Sequence, residues 1–77
     1  MLMINANTKN KLIREYKMMS PTQTDVILVQ NVKDNNMVVW TTEEELDDPV
    51  IKQNWIIIGW LKQYKQLDDL KKRLKEL

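Results

Sequence analysis

The chain has 77 residues, 12 Lys and Arg against 11 Asp and Glu for a formal charge of +1, and neither Cys nor His. That excludes a disulfide framework and a Cys/His zinc site, the usual staples of small domains, and the near-neutral balance gives no electrostatic ground for a dedicated polyanion binder. With 43% hydrophobic and 30% charged residues it reads as one folded domain over 1–77. A chain this short buries only about 60% of its unfolded surface, so a second copy or another protein is expected to complete its core.

The apolar start Met1–Ile4 is too short for a signal-peptide core, and Asn5, Asn7, Thr8 and Lys9 follow at once. The longest apolar run, residues 55–61, falls far short of the ~20 residues that span a bilayer. The expected location is therefore cytoplasmic, with no membrane partner. Abundant Lys, Asn, Ile and Met beside one Gly and two Pro is the usage of AT-rich coding, as in low-GC bacteria and their phages.

Residues 8–19 predict an amphipathic helix with Thr8 as N-cap and Leu12, Ile13, Tyr16 and Met19 on one face, ended by Ser20-Pro21. Next come two β-branched runs, Val26–Val29 with Val32 and Met37–Trp40, around the turn-forming Lys33-Asp34-Asn35-Asn36. This predicts a β-hairpin, with Asn35-Asn36 taking the positive φ of a primed turn. Both strands are apolar in succession, so both faces need cover. A lone hairpin is marginal in water; either Leu2-Met3-Ile4 adds a third strand or the exposed hairpin edge pairs with a second copy.

Thr41 and Thr42 stand three residues before Glu44 and Glu45, a doubled capping-box pattern. Asp48-Pro49 then restarts a helix, Asp at the cap and Pro at the first position. From there apolar residues recur at three- and four-residue intervals to Leu77, predicting a long C-terminal amphipathic helix. Running from 49 to 77 it would span about 43 Å, against a diameter of about 30 Å for a compact chain of this size. Its last leucines, Leu67, Leu70, Leu74 and Leu77, follow an a-d-a-d register and would overhang, making them the candidate oligomerisation stripe of a homodimer. The alternative makes Trp55–Leu61 a strand, since Trp and Ile favour sheets, and then the helix begins near Leu61 and the overhang largely disappears.

The fold expected is therefore a small α+β domain: N-terminal helix, β-hairpin, acidic turn and long C-terminal amphipathic helix.

Without His or Cys the commonest general base and the best nucleophile are missing, so no catalytic residue is assigned and the chain is not expected to be an enzyme. A single glycine, Gly59, rules out the Gly-rich phosphate loops, so no cofactor is expected. The carboxylates Glu43, Glu44, Glu45, Asp47 and Asp48 match no calcium loop. They form the candidate partner-binding segment, with another protein as partner. The function expected by exclusion is a non-catalytic protein-binding regulator or inhibitor; an antitoxin or assembly subunit would differ from it only in its partner. The alternative is a nucleic-acid-binding regulator using Lys9, Lys11, Arg14 and Lys17 on the first helix and Lys62, Lys65, Lys71, Lys72, Arg73 and Lys75 on the last.

Overall fold

The structure is a computed structural model that describes residues 4–20 and 22–77. Its class is α+β, as composition and patterning predict. Helix α1 (Ala6–Met18) leads to strands β1 (Val26–Asn31) and β2 (Val38–Thr42), short helices α2 (Glu43–Leu46) and α3 (Pro49–Asn54), strand β3 (Trp55–Trp60), a 3-10 turn (Leu61–Gln63) and helix α4 (Leu67–Glu76). The sheet is antiparallel in the order β2-β1-β3.

Helix α1 starts earlier than the Thr8 cap implies. Asn5 is the N-cap, its side chain accepting the Thr8 N–H at 2.8 Å, so Thr8 lies inside the first turn. The Met19 N–H closes the other end on the Glu15 and Tyr16 carbonyls.

The hairpin forms where expected, with Val29 opposite Val39 and Leu28 opposite Trp40. Its turn does not. No described non-glycine residue has positive φ, which corrects the primed turn at Asn35-Asn36. Side-chain oxygens shape the loop instead: Asn31 Oδ1 accepts the Lys33 and Asp34 N–H groups, and Asp34 Oδ1 accepts that of Asn36. Asx turns of this kind let a longer loop reverse the chain without left-handed backbone.

The long C-terminal helix is the main correction. Asp48 does restart a helix, accepting the Val50 N–H at 3.0 Å, but α3 ends at Asn54 and residues 55–60 form the third strand. Three consecutive isoleucines between tryptophans are crowded in a helix and fit a pleated surface. The 43 Å helix disappears, and the chain has a radius of gyration of 11.9 Å. Leu2 and Met3, two of the three residues considered for a third strand, lie outside the described residues; Ile4 is buried in the core.

Alternating residues of β1 feed two separate cores, as the period of two requires. Leu28 faces α1 and α4, packing with Leu12, Val38, Tyr64, Leu70 and Leu74. Ile27 and Val29 face the other way, toward Leu46, Ile51, Trp55 and Trp60. Cover is unequal. One face carries helices of 13 and 10 residues, the other helices of only four and six.

The helical layer is tied down by polar contacts of its aromatics. Trp40 Nε1 donates to the Leu12 carbonyl at 3.2 Å, and the Tyr16 hydroxyl to the Tyr64 carbonyl at 2.6 Å. Both bonds satisfy a polar tip on a ring that otherwise buries apolar area. The rings of Trp40 and Tyr64 meet edge to face at 6.2 Å.

Candidate functional site

The acidic segment occupies α2 and its link to α3, its five carboxylate residues all exposed around the buried Leu46. Local chemistry uses two of its members. Glu45 Oε2 accepts the Thr41 hydroxyl at 2.6 Å, and its N–H donates to Thr42 Oγ1, the cap that the Thr-Thr-Glu spacing implies. Asp48 is committed to capping α3. Glu43, Glu44 and Asp47 make no side-chain hydrogen bond or ion pair among the described residues, and the five carboxylates do not converge on a metal-binding geometry there.

Beside them opens a pocket of ≈ 180 Å³ on the thinly covered face, lined by Val29, Val39, Leu46, Ile51 and Trp55 with Glu45 at its rim. The arrangement follows from chain order. β2 delivers α2 to one end of the sheet, and α3 crosses back beneath it to start β3. Because α3 buries none of its residues, Val50 stays 68% exposed next to the acids.

The terminal leucines are placed differently from the oligomerisation stripe expected of them. Leu70 and Leu74 are 0% and 2% exposed in the chain's own core, and Leu67 and Leu77 pack partly buried against it. With β3 filling residues 55–60, α4 packs from Leu67 to Leu77 into the core it shares with α1 and Leu28, so its apolar face has no overhang to offer another chain.

Of the basic residues, Lys17 from the end of α1 comes together with Lys62 and Lys65 around an open groove of ≈ 500 Å³ floored by Tyr16, Leu61 and Tyr64. Lys62 Nζ stands 5.0 Å from the Trp60 ring centroid, a cation–π contact. Arg73, partly exposed, is engaged within the chain: Nη1 pairs with Glu76 at 2.9 Å and Nη2 reaches the Ile58 carbonyl at 3.4 Å. Burial pushes the Tyr64 phenol up, and the Arg73 charge partly opposes this.

Sequence reasoning did not assign a role to the free edge of β3. Ile56 and Ile57 are 55% and 51% exposed there, with no other strand beside them among the described residues. The uncharged stretch 53–61 was a signal for it. No helix of the described residues is long and apolar enough to cross a membrane. No protein-family model, curated protein or solved structure matches the chain.

Proposed function

We propose that the protein is a non-catalytic protein-binding regulator or inhibitor of another macromolecule, encoded by a low-GC bacterium or one of its phages and acting in the cytoplasm. The observation that supports this reading is the juxtaposition on α2 and α3. Glu45 lines an open, mainly apolar pocket, the uncommitted Glu43, Glu44 and Asp47 stand on the same short helix and its link to α3, and Val50 of α3 is exposed. An apolar centre inside a polar rim is the anatomy of a protein interface, and a partner with a basic rim around one apolar anchor fits it. The test is affinity capture with the wild-type chain and with Glu43→Lys/Glu44→Lys/Asp47→Lys, both after nuclease treatment. A discrete protein retained by the wild type and lost by the variant is the expected result; equal retention by both removes the acids from the interface.

A second reading, nucleic-acid binding, is favoured by one observation: Lys17, Lys62 and Lys65 from distant parts of the chain share one groove with two tyrosines. It requires an affinity for single-stranded oligonucleotide that falls steeply with salt. A salt-independent affinity, or none, disposes of it.

A further inference from the structure

The edge of β3 carries a hydrogen-bonding pattern that is symmetric about Ile56. The Val32 N–H donates to the Asn54 carbonyl at 2.9 Å, which marks Val32 and Asn54 as a bonded antiparallel pair. Bonded and non-bonded pairs alternate along such a ladder. Gln30 opposite Ile56 is therefore bonded, while Asn31 opposite Trp55 and Val29 opposite Ile57 are not. The β2 side agrees, because the Asn31 N–H donates to Met37 across the other edge of β1. Trp55 and Ile57 thus direct their N–H and C=O groups away from the sheet, and no described group outside the ladder bonds them.

We propose that this edge pairs antiparallel with β3 of a second copy of the chain, about a two-fold axis through Ile56, joining two three-stranded sheets into one. In that register Trp55 stands opposite Ile57 of the second copy and Ile57 opposite its Trp55, each a doubly bonded pair. Ile56 meets its own counterpart in the non-bonded position, where Cα atoms come closest, at about 4.5 Å. An isologous contact needs a self-complementary strand, and the short stretch Trp55-Ile56-Ile57 has that property. A foreign strand gains nothing from the symmetry.

Three observations support the second copy as occupant. No charged residue lies between Lys52 and Lys62, and the one cation that reaches β3, Arg73 on the Ile58 carbonyl, is paired with Glu76, so little like-charge repulsion opposes two such strands over Trp55–Ile57. The charged or proline residues that natural edges use against pairing are missing from β3. The pairing would also cover half-exposed isoleucines on both sides of the sheet, Ile56 on the α1/α4 side and Ile57 beside Trp55 on the other. β2, the opposite edge, has no exposed residue.

The bulge fixes the register. Leu28 pairs with Gly59 and Val29 with Ile57, which leaves Ile58 as the extra residue and bends the strand. An incoming strand therefore follows a regular ladder only over Trp55–Ile57, and only the register centred on Ile56 uses both outward-facing residues. The edge shares Trp55 with the pocket beside α2, but Glu43, Glu44 and Asp47 are not part of it, so substitutions of those acids and the cysteine comparison at Ile56 test the two proposals separately.

Because the natural chain has no cysteine, single cysteines report the register directly. Ile56→Cys is expected to give a covalent dimer under mild oxidation at least ~10-fold faster than Met18→Cys, an exposed collision control, since a held pair reacts at a millimolar-scale effective concentration. Ile57→Cys should behave like the control, its counterpart being displaced by two residues. Equal rates for Ile56→Cys and Met18→Cys, or faster cross-linking through Ile57→Cys, overturn the proposal. Sedimentation equilibrium on the wild-type chain should show a concentration-dependent dimer that added salt does not weaken. Ile57→Lys, with its circular dichroism retained, should be monomeric. A wild-type chain that stays monomeric throughout the concentration series also overturns the pairing, and if Ile57→Lys fails to fold, the cysteine comparison still decides.

Discussion

Tyr64 fills the space above Gly59 that a side chain would need. A Cβ on Gly59 would run into the Tyr64 hydroxyl, with Cζ 2.9 Å and Gln63 Oε1 3.2 Å away. The only glycine of the chain is thus set by an aromatic approach, since its φ is not positive. Gly59→Ala forces the ring outward and disturbs its edge-to-face contact with Trp40. The expected loss is about 1–3 kcal/mol in denaturant unfolding. In a Tyr64→Phe background the cost should fall without vanishing, because Cζ is still in the way; an unchanged cost in the double-mutant cycle would remove the contact as its cause.

The burial of Tyr64 also makes stability depend on alkali. Its phenol is raised above the ordinary 10.0, chiefly by desolvation, against the opposing Arg73 charge. As pH rises past 10.0 the unfolded chain loses this proton first. The contribution is therefore complete below that pH and is lost as pH climbs through the higher folded value. Unfolding midpoints above pH 10 should fall less steeply in Tyr64→Phe than in the wild type. Parallel curves would assign the alkaline loss to other groups.

Leu70 and Leu74 provide the sharpest test of where the C-terminal helix packs. Each is fully buried within one chain, so truncation to Ala should cost roughly 2–5 kcal/mol and leave the association state of the folded protein unchanged. A variant that kept its stability but lost a dimer would place these leucines between chains.

Asp48→Ala removes the α3 cap, an effect of about 1 kcal/mol on the helix. Since α3 buries no residue, the loss should appear as local fraying, with faster amide exchange at Val50–Lys52 and a smaller melting shift than Leu70→Ala. A melting shift as large as that of Leu70→Ala would mean that α3 unfolds only with the whole domain.

What could be read in advance follows the physics of each signal. α1 and the hairpin carry clean periods, 3.6 residues in one and β-branched runs around a turn in the other, and both formed within two residues or so. The caps at Thr42 and Asp48 were legible because a side-chain oxygen at fixed offset has one local partner. Residues 55–60 were ambiguous, because a short fully apolar run satisfies a buried strand and a buried helix equally. That ambiguity spread to the leucines of α4: whether they overhang depends on where the helix begins, and neighbours distant in sequence decide it. Of the candidate site, the exposure of the acids was legible, while the pocket beside them depends on α3 crossing beneath the sheet.

The strand order gives the middle of the sheet a delayed completion. β1 acquires β2 through a short local connection, but its other edge waits for β3, which arrives only after α2 and α3 have been made. During synthesis the most buried strand therefore passes through a stage with one row of main-chain groups open, and non-local closure of this kind is the slow part of folding. Chains interrupted before Trp55 would keep that row exposed on Leu28 and Gln30. Such fragments should aggregate, whereas chains that extend through Trp60 can close the sheet.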